Sequence, residues 1–193
     1  MLAVSFAAKA QSKLIFKDKF MYTDVQVFNE TKKHSIPSLI DTGCSLCVID
    51  SIFAIDSCGI KEDELQAIPV NQTKDRVSSA FIDSMFFCGK TYHKVYCLVA
   101  DLTGLYQKYA PKFIVGANIL RSGAWKFDME KNIVEPYDYN NKTKGIIYKW
   151  KNHEDYPDVA IDYIILDSKV SGKKHDLLLI QDVKTISFNV VYM

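Results

Sequence analysis

The sequence predicts an all-β fold for most of its 193 residues, because three features recur along it. Apolar and polar side chains alternate in several short runs, which is typical of half-buried strands. Turn-forming residues separate neighbouring runs, as expected of hairpins. Spacing typical of helices is confined to short segments. The chain should therefore be built mainly of strands, with a few short helices between them.

Two hairpins are predicted in the first hundred residues. The first joins residues 22–28, in which apolar and polar side chains alternate, to residues 36–40. The second joins residues 81–87 to residues 93–100. In each case the two runs are linked by a short polar or glycine-containing turn, so they can pair as antiparallel strands.

Three short helices are predicted between the strands. Ser51 can cap the first, which Gly59 ends, and residues 102–109 have the apolar spacing of the second. The third occupies residues 117–122, where Gly123 provides the stop. All three are too short to form a helical layer of their own, so the strands should determine the architecture.

The remaining segments of the first part are less regular. Strands are predicted at residues 113–115, 124–129 and 132–135, the last two around a polar turn. Residues 62–67 contain good helix formers in a short run, whereas residues 70–80 are polar and weakly patterned. The polar segment is therefore left as a connection rather than an element.

A polar stretch at residues 138–144 marks a boundary. Beyond it, residues 141–193 contain four more strand-like runs and no repeat of the first part. We therefore expect a strand-rich C-terminal extension. It could add strands to a dimer interface, cover a sheet edge or bind a partner, and the sequence does not choose among these roles.

Composition excludes several classes of function. Lys and Arg total 24 against 23 Asp and Glu, a net charge of +1, so the basic excess typical of nucleic-acid-binding domains is missing. Apolar runs are far shorter than the roughly 20 residues that span a bilayer. Residues 1–10 are interpreted as a poorly ordered or strand-forming start rather than the remnant of a signal peptide. Five cysteines, an odd number, indicate reduced thiols and favour a cytoplasmic over a secreted location.

The most informative segment is Asp-Thr-Gly at residues 41–43. A strand delivers Asp41 to a tight turn, where Gly43 permits backbone angles and a close approach that a side chain would block. Neither a histidine nor a second acid lies at metal-ligand spacing, so no metal is expected here. Asp41 could still be an ordinary turn or capping acid, which is the commonest role of aspartate before Thr-Gly.

Two motifs together resemble the retropepsin-like aspartic proteases. The first is Leu-Ile-Asp-Thr-Gly at residues 39–43, which matches the active-site loop of that family. The second is Ile-Val-Gly at residues 114–116, followed by a short helix. The resemblance covers roughly residues 14–137 and implies an acid-protease β-barrel with one short C-terminal helix. Residues 141–193 would then be an extension beyond the family domain.

The resemblance implies an aspartic endopeptidase that needs no cofactor. Two carboxylates must share one proton, yet the chain holds a single Asp-[Thr/Ser]-Gly, so the second Asp41 would come from a second copy in a homodimer. Thr42 would brace the loop of the other subunit, and the Gly43 N–H could donate to the carboxylate. Ile114, Val115 and Gly116 would pack beneath the loop and fix its position.

The resemblance also implies a flap and a substrate class. Residues 70–80 fall where the family has its flap hairpin, with Gln72, Thr73 and Lys74 as candidates for the tip. A flap would close over an extended peptide or protein segment and exclude water. The expected partners are thus the chain itself and a peptide or protein substrate, with neither nucleic acid nor membrane.

Two alternatives stay open. Cys44 and Cys47 form a C-x-x-C pattern, which in other proteins serves redox chemistry or zinc, and Cys58 could add a third ligand. A non-catalytic binding or assembly module of the same fold is the second alternative. It is motivated by Cys44, where the family usually has Ala or Ser, and by the lack of glycine at the flap tip.

Overall fold

The computed structural model confirms that the fold is all-β, with a few short helices. It describes most of the first 137 residues and five short strands beyond them. The described ranges are residues 10–17, 20–69, 76–106, 110–137, 146–148, 150–152, 162–170, 173–178 and 190–192. Among these residues, no helix has the length and apolar character needed to cross a membrane.

Ten strands and four short helical segments make up the first part of the chain. The strands are β1 (Ser12–Lys17), β2 (Phe20–Asn29), β3 (Lys32–Ile40), β4 (Cys47–Asp50), β5 (Gln66–Pro69), β6 (Arg76–Phe87), β7 (Lys90–Ala100), β8 (Phe113–Val115), β9 (Trp125–Asp128) and β10 (Ile133–Pro136). The helical segments are a π-helical turn (Phe53–Ser57), a 3₁₀ turn (Glu62–Glu64), α1 (Leu102–Tyr106) and α2 (Ala117–Leu120). Both predicted hairpins, β2–β3 and β6–β7, are present.

Six strands close into a barrel. Going round it, β2 pairs with β3, then follow β8, β4, β7 and β6, and β6 returns to β2. The closing contact is antiparallel, with Val27 opposite Met85. Closure gives each of the six strands two neighbours, so these strands leave no open edge. Strands β1, β10 and β9 extend the sheet away from the barrel at β2.

The interior of the barrel holds the main hydrophobic core. Large side chains fill it, and the Trp125 ring lies 4.9 Å from that of Phe87. Val25 and Val27 point inward, as the alternation along β2 predicts. At Tyr22 the alternation fails and the side chain is also buried, because a second cluster that includes Leu39 and Ile114 covers the outer face there. The sheet is therefore packed on both faces near the end of β3.

Local structure differs from the sequence prediction in two places. Residues 62–64 form only a 3₁₀ turn, and residues 66–67 already belong to β5. Strand β6 begins at Arg76, five residues earlier than predicted, because antiparallel pairing of β5 with β6 overrides local preference. The helix after β4 is capped by Asp50 rather than Ser51: the Phe53 N–H donates to Asp50 Oδ1 at 3.0 Å. Gly59 ends this segment as predicted, with a φ of +75°.

The extension contributes strands to two sheets. They are β11 (Ile146–Tyr148), β12 (Trp150–Asn152), β13 (Asp162–Val170), β14 (Lys173–Leu178) and β15 (Val190–Tyr192). Strand β15 pairs antiparallel with β9 of the first part and parallel with β11, whereas β12, β13 and β14 form a separate sheet. The edge of β9 is thus covered by the chain itself. The division at residues 138–144 stays a prediction.

Candidate active site

The two motifs found in the sequence lie side by side, although Gly116 follows Asp41 by 75 residues. Strand β8 is inserted between β3 and β4, parallel to the first and antiparallel to the second. Residues 41–46, the acid loop, therefore have to cross the end of β8 on their way from β3 to β4. The Asp41 N–H donates to the Val115 carbonyl at 3.1 Å, which fixes the start of this crossing.

Gly116 lies directly beneath the acid loop. A Cβ atom there would overlap the Leu46 carbonyl group and lie 2.8 Å from the Cys47 nitrogen. Its φ of −95° and ψ of −177° are open to any residue, so the close approach of the two backbones, rather than a special conformation, requires glycine. Ile114 and Val115 are buried, and their predicted packing beneath the loop stays a prediction.

The Asp41 carboxyl is half-buried at the start of the acid loop. The Gly43 N–H donates to Asp41 Oδ1 at 2.8 Å, the contact expected from the sequence. Burial raises the pKa of Asp41 above its ordinary value of 3.8, and the Gly43 and Cys44 N–H groups offset part of that rise. This arrangement orients the carboxyl and makes it easier to protonate than an exposed aspartate, which is what a proton-sharing acid needs.

Replacing Asp41 by Asn should stabilise the single chain at neutral pH. Because folding raises the pKa of Asp41, ionising this carboxyl costs the folded state more than the unfolded state. The free energy of unfolding therefore falls as the pH rises from 3.8, the pKa of an ordinary aspartate, towards the higher pKa of Asp41 in the folded chain. Asn keeps the acceptor for Gly43 and carries no charge. We expect thermal unfolding of dilute, monomeric protein to show the variant more stable than wild type at about pH 7, with the gap closing towards about pH 3. A gap that does not change with pH would contradict this.

Thr42 is almost fully enclosed within the single chain, with 1% of its surface exposed. A side chain so placed presents little surface to a second copy. The predicted contact between Thr42 and the loop of another subunit stays a prediction, and it would require this part of the acid loop to shift.

Strands β5 and β6 form the hairpin in which the sequence places a flap. Pro69 lies opposite Arg76 in the register, so residues 70–75 connect the strands. The base is fixed by two hydrogen bonds, from Tyr96 Oη to Ser79 Oγ at 2.8 Å and from Ser79 Oγ to the Gln66 carbonyl at 2.9 Å. The predicted tip residues are outside the described residues: Gln72, Thr73 and Lys74.

The Cys44 thiol lacks the lowered pKa of a redox-active cysteine. Burial, and then the nearby Asp41 carboxylate, raise the pKa of Cys44 to about 12, whereas reactive thiols have a lowered pKa. Cys44 Sγ donates to the Leu46 carbonyl at 3.1 Å, and all five cysteines are free thiols. Among the described residues, no three His, Cys, Asp or Glu side chains group in a way that could hold a metal ion.

One residue of the site was missed by sequence reasoning. The backbone of Asn118 in α2 contacts Ser45 at the far end of the acid loop, and its side chain contacts Cys47, the first residue of β4. The only signal in the sequence is a polar residue in the otherwise apolar segment Ala-Asn-Ile-Leu, residues 117–120. Such a signal predicts a buried polar contact without saying which loop it reaches.

Comparison with known proteins adds a structural likeness only. No protein-family model and no curated protein sequence match the chain. Among the solved structures that match is a retropepsin-like aspartic protease from Rickettsia conorii, at 17% identity and a TM-score of 0.46, covering 64% of this chain and 86% of that one. A likeness at this level carries no information about activity, so function has to be inferred from the chain's own residues.

Proposed function

We propose that this chain is an aspartic endopeptidase whose catalytic dyad is formed by Asp41 of two copies in a homodimer. The observation that carries the proposal is the acid loop itself. A half-buried carboxyl with a raised pKa is oriented by the Gly43 N–H, and the loop is held by a backbone crossing that tolerates only Gly116.

A second copy is needed because one carboxyl cannot perform both halves of the chemistry. Two carboxyls about 3 Å apart cannot both ionise, so one stays protonated and the other is charged. The sequence has one Asp-Thr-Gly and no second loop of that kind. A two-fold axis through the acid loops would bring two identical acids together, as in other isologous dimers.

Each carboxyl then has a defined task. The ionised carboxylate removes a proton from water, and the oxygen of that water attacks the peptide carbonyl carbon. The protonated carboxyl donates to the carbonyl oxygen, which becomes the second hydroxyl of a tetrahedral intermediate. When this intermediate collapses, the C–N bond breaks, the amine takes up a proton from the carboxyl that is now protonated, and one hydroxyl returns its proton to the carboxylate that donated in the first step. Burial of Asp41 favours this chemistry because it strengthens electrostatic contacts and makes proton sharing easier.

The substrate proposed is an extended peptide segment. Backbone pairing along a strand, with pockets for alternate side chains, is the usual way a sheet edge holds such a ligand. The β5–β6 hairpin would supply the flap, with Gln72, Thr73 and Lys74 at its tip. Its anchored base, through Ser79 and Gln66, would let the tip close while the strands stay paired.

Mixing subunits tests the dimer and the acid together. Wild-type chains are combined with Asp41→Asn chains, allowed to exchange, and assayed on a peptide library. If both acids are needed, mixed dimers are inactive, and activity per wild-type chain falls to about half at equal amounts. Activity per wild-type chain that does not change on mixing would mean that each chain acts alone. A monomer without any cleavage would favour the non-catalytic binding or assembly module.

A further inference from the structure

Asn118 ties the acid loop to a strand on the other side of the site. Its backbone N–H donates to the Ser45 carbonyl at 3.0 Å, and its side-chain Oδ1 accepts from the Cys47 N–H at 2.9 Å. Its Nδ2 donates to the Tyr96 carbonyl of β7 at 3.0 Å. One side chain therefore bridges two strands of the barrel: its acceptor contacts β4 at the first residue after the acid loop, and its donor contacts β7.

The two ends of the acid loop are held differently. The start is fixed by β8, because the Asp41 N–H donates to the Val115 carbonyl. The far end is fixed by α2, through the Ala117 N–H, which donates to the Cys44 carbonyl at 2.7 Å, and through Asn118. The hydrogen bonds between the backbone of α2 and the loop do not involve side chains, so they would survive most substitutions in α2. Cys47, where the loop enters β4, already pairs with Cys97 of β7. The Asn118 amide adds a side-chain link between the same two strands, because an amide offers both a donor and an acceptor at this length.

We infer that Asn118 is a positioning residue for Asp41: by clamping the loop to β7, it sets where the acid stands relative to its counterpart in a second copy. This inference rests on the proposed function. Two acids that share a proton have to meet within about 3 Å, and a misplacement of about 1 Å can cost about 10²-fold in rate. Asn118 contacts Ser45 and Cys47, four and six residues beyond Asp41, so it acts through the loop and not on substrate.

The kinetic test compares three variants with wild type. Asn118→Ala removes both side-chain bonds and should lower kcat about 10- to 100-fold while KM changes little, because substrate contacts stay in place. Asn118→Asp keeps an acceptor for the Cys47 N–H and loses the donor to Tyr96. Its activity relative to wild type should recover as the pH falls, because a protonated carboxyl can donate to the Tyr96 carbonyl again.

The matched control is Ser122→Ala. Ser122 follows the same helix, and its hydroxyl donates to the Ile119 carbonyl at 2.7 Å rather than to the acid loop. The Ser122→Ala substitution removes a polar contact at α2 that is similar in size to those lost in Asn118→Ala. We expect kcat and the pH profile of Ser122→Ala to stay at wild-type values. Equal losses in Asn118→Ala and Ser122→Ala would overturn the inference, because they would indicate a general effect on the helix.

Hydrogen exchange of backbone amides gives a reading that does not depend on activity. In Asn118→Ala, the Cys47 amide loses its acceptor, and the Gly43 amide, which holds Asp41, should exchange faster as the loop loosens. The Val27 amide in the closed barrel should be unchanged. Wild-type protection at Gly43 in this variant would overturn the inference even if the enzyme is active. Faster exchange at Gly43 in a protein without cleavage would support the clamp and count against the proposed function instead.

Discussion

Replacing Asp41 by Asn is expected to lower peptide cleavage by at least about 10²- to 10⁴-fold, the range that a single acid–base group usually contributes. Asn has the shape of Asp and keeps an acceptor for the Gly43 N–H, which donates to Asp41 Oδ1 at 2.8 Å. The loop should therefore keep its conformation. What is lost is the ability to take up and release a proton, on which both steps of the proposed reaction depend.

A matched control separates this chemistry from a general effect of charge. Asp24 is an exposed aspartate of β2, opposite Pro37 and away from the acid loop. Asp24→Asn removes the same charge and should cleave at the wild-type rate. Initial rates on one peptide, with circular dichroism to check that each variant is folded, provide the measurement. Cleavage retained in Asp41→Asn would remove the basis of the protease proposal.

Gly116→Ala is expected to have the largest effect on stability, a loss of more than about 3 kcal/mol. The added Cβ would overlap the Leu46 carbonyl group and crowd the Cys47 nitrogen, both of which are backbone. A flexible side chain could turn away, but here β8 and the acid loop would have to separate. Urea denaturation measures the free energy of unfolding, and cleavage should fall as well because Asp41 moves with the loop.

Gly123→Ala is the corresponding control. Its added Cβ would lie 3.7 Å from the nearest atom, Trp125 Cζ2, which is an ordinary contact distance. We expect its free energy of unfolding to stay within about 1 kcal/mol of wild type. Equal destabilisation by the two substitutions would mean that the backbone crossing at Gly116 is not the constraint described above.

The local elements of the fold could be predicted well from the sequence. Alternation in β2 and the turn between β6 and β7 are signals carried by neighbouring residues, and both hairpins are present. The start of β6 was missed because residues 76–80 are polar, and their pairing with β5 and β7 comes from the sheet rather than from their own pattern. Prediction from local sequence is weakest where a strand is stabilised by pairing with neighbouring strands rather than by its own pattern.

The candidate site could be predicted only in part. Asp41 and Gly43 lie in one short motif, and their contact was expected from the resemblance of that motif to the active-site loop of a known family. The insertion of β8 between β3 and β4 joins residues far apart in the chain, and no periodicity encodes such pairing. Asn118 was missed for the same reason, since its partners Cys47 and Tyr96 belong to other elements. Four strand-like runs were predicted in the extension, whose described residues form five strands. The pairing of β15 with β9 was not predicted, because an alternating pattern does not specify a neighbour.

The late position of β8 in the chain has a consequence for synthesis on the ribosome. Phe113 emerges 63 residues after Asp50, and at roughly 5–20 residues per second this takes several seconds. During that interval β3 and β4 have been translated, yet the strand that belongs between them has not. The nascent chain therefore exposes two unpaired edges that could pair with another polypeptide. Chaperone binding to residues 32–50 during translation would shield the unpaired edges of β3 and β4 until β8 pairs with them.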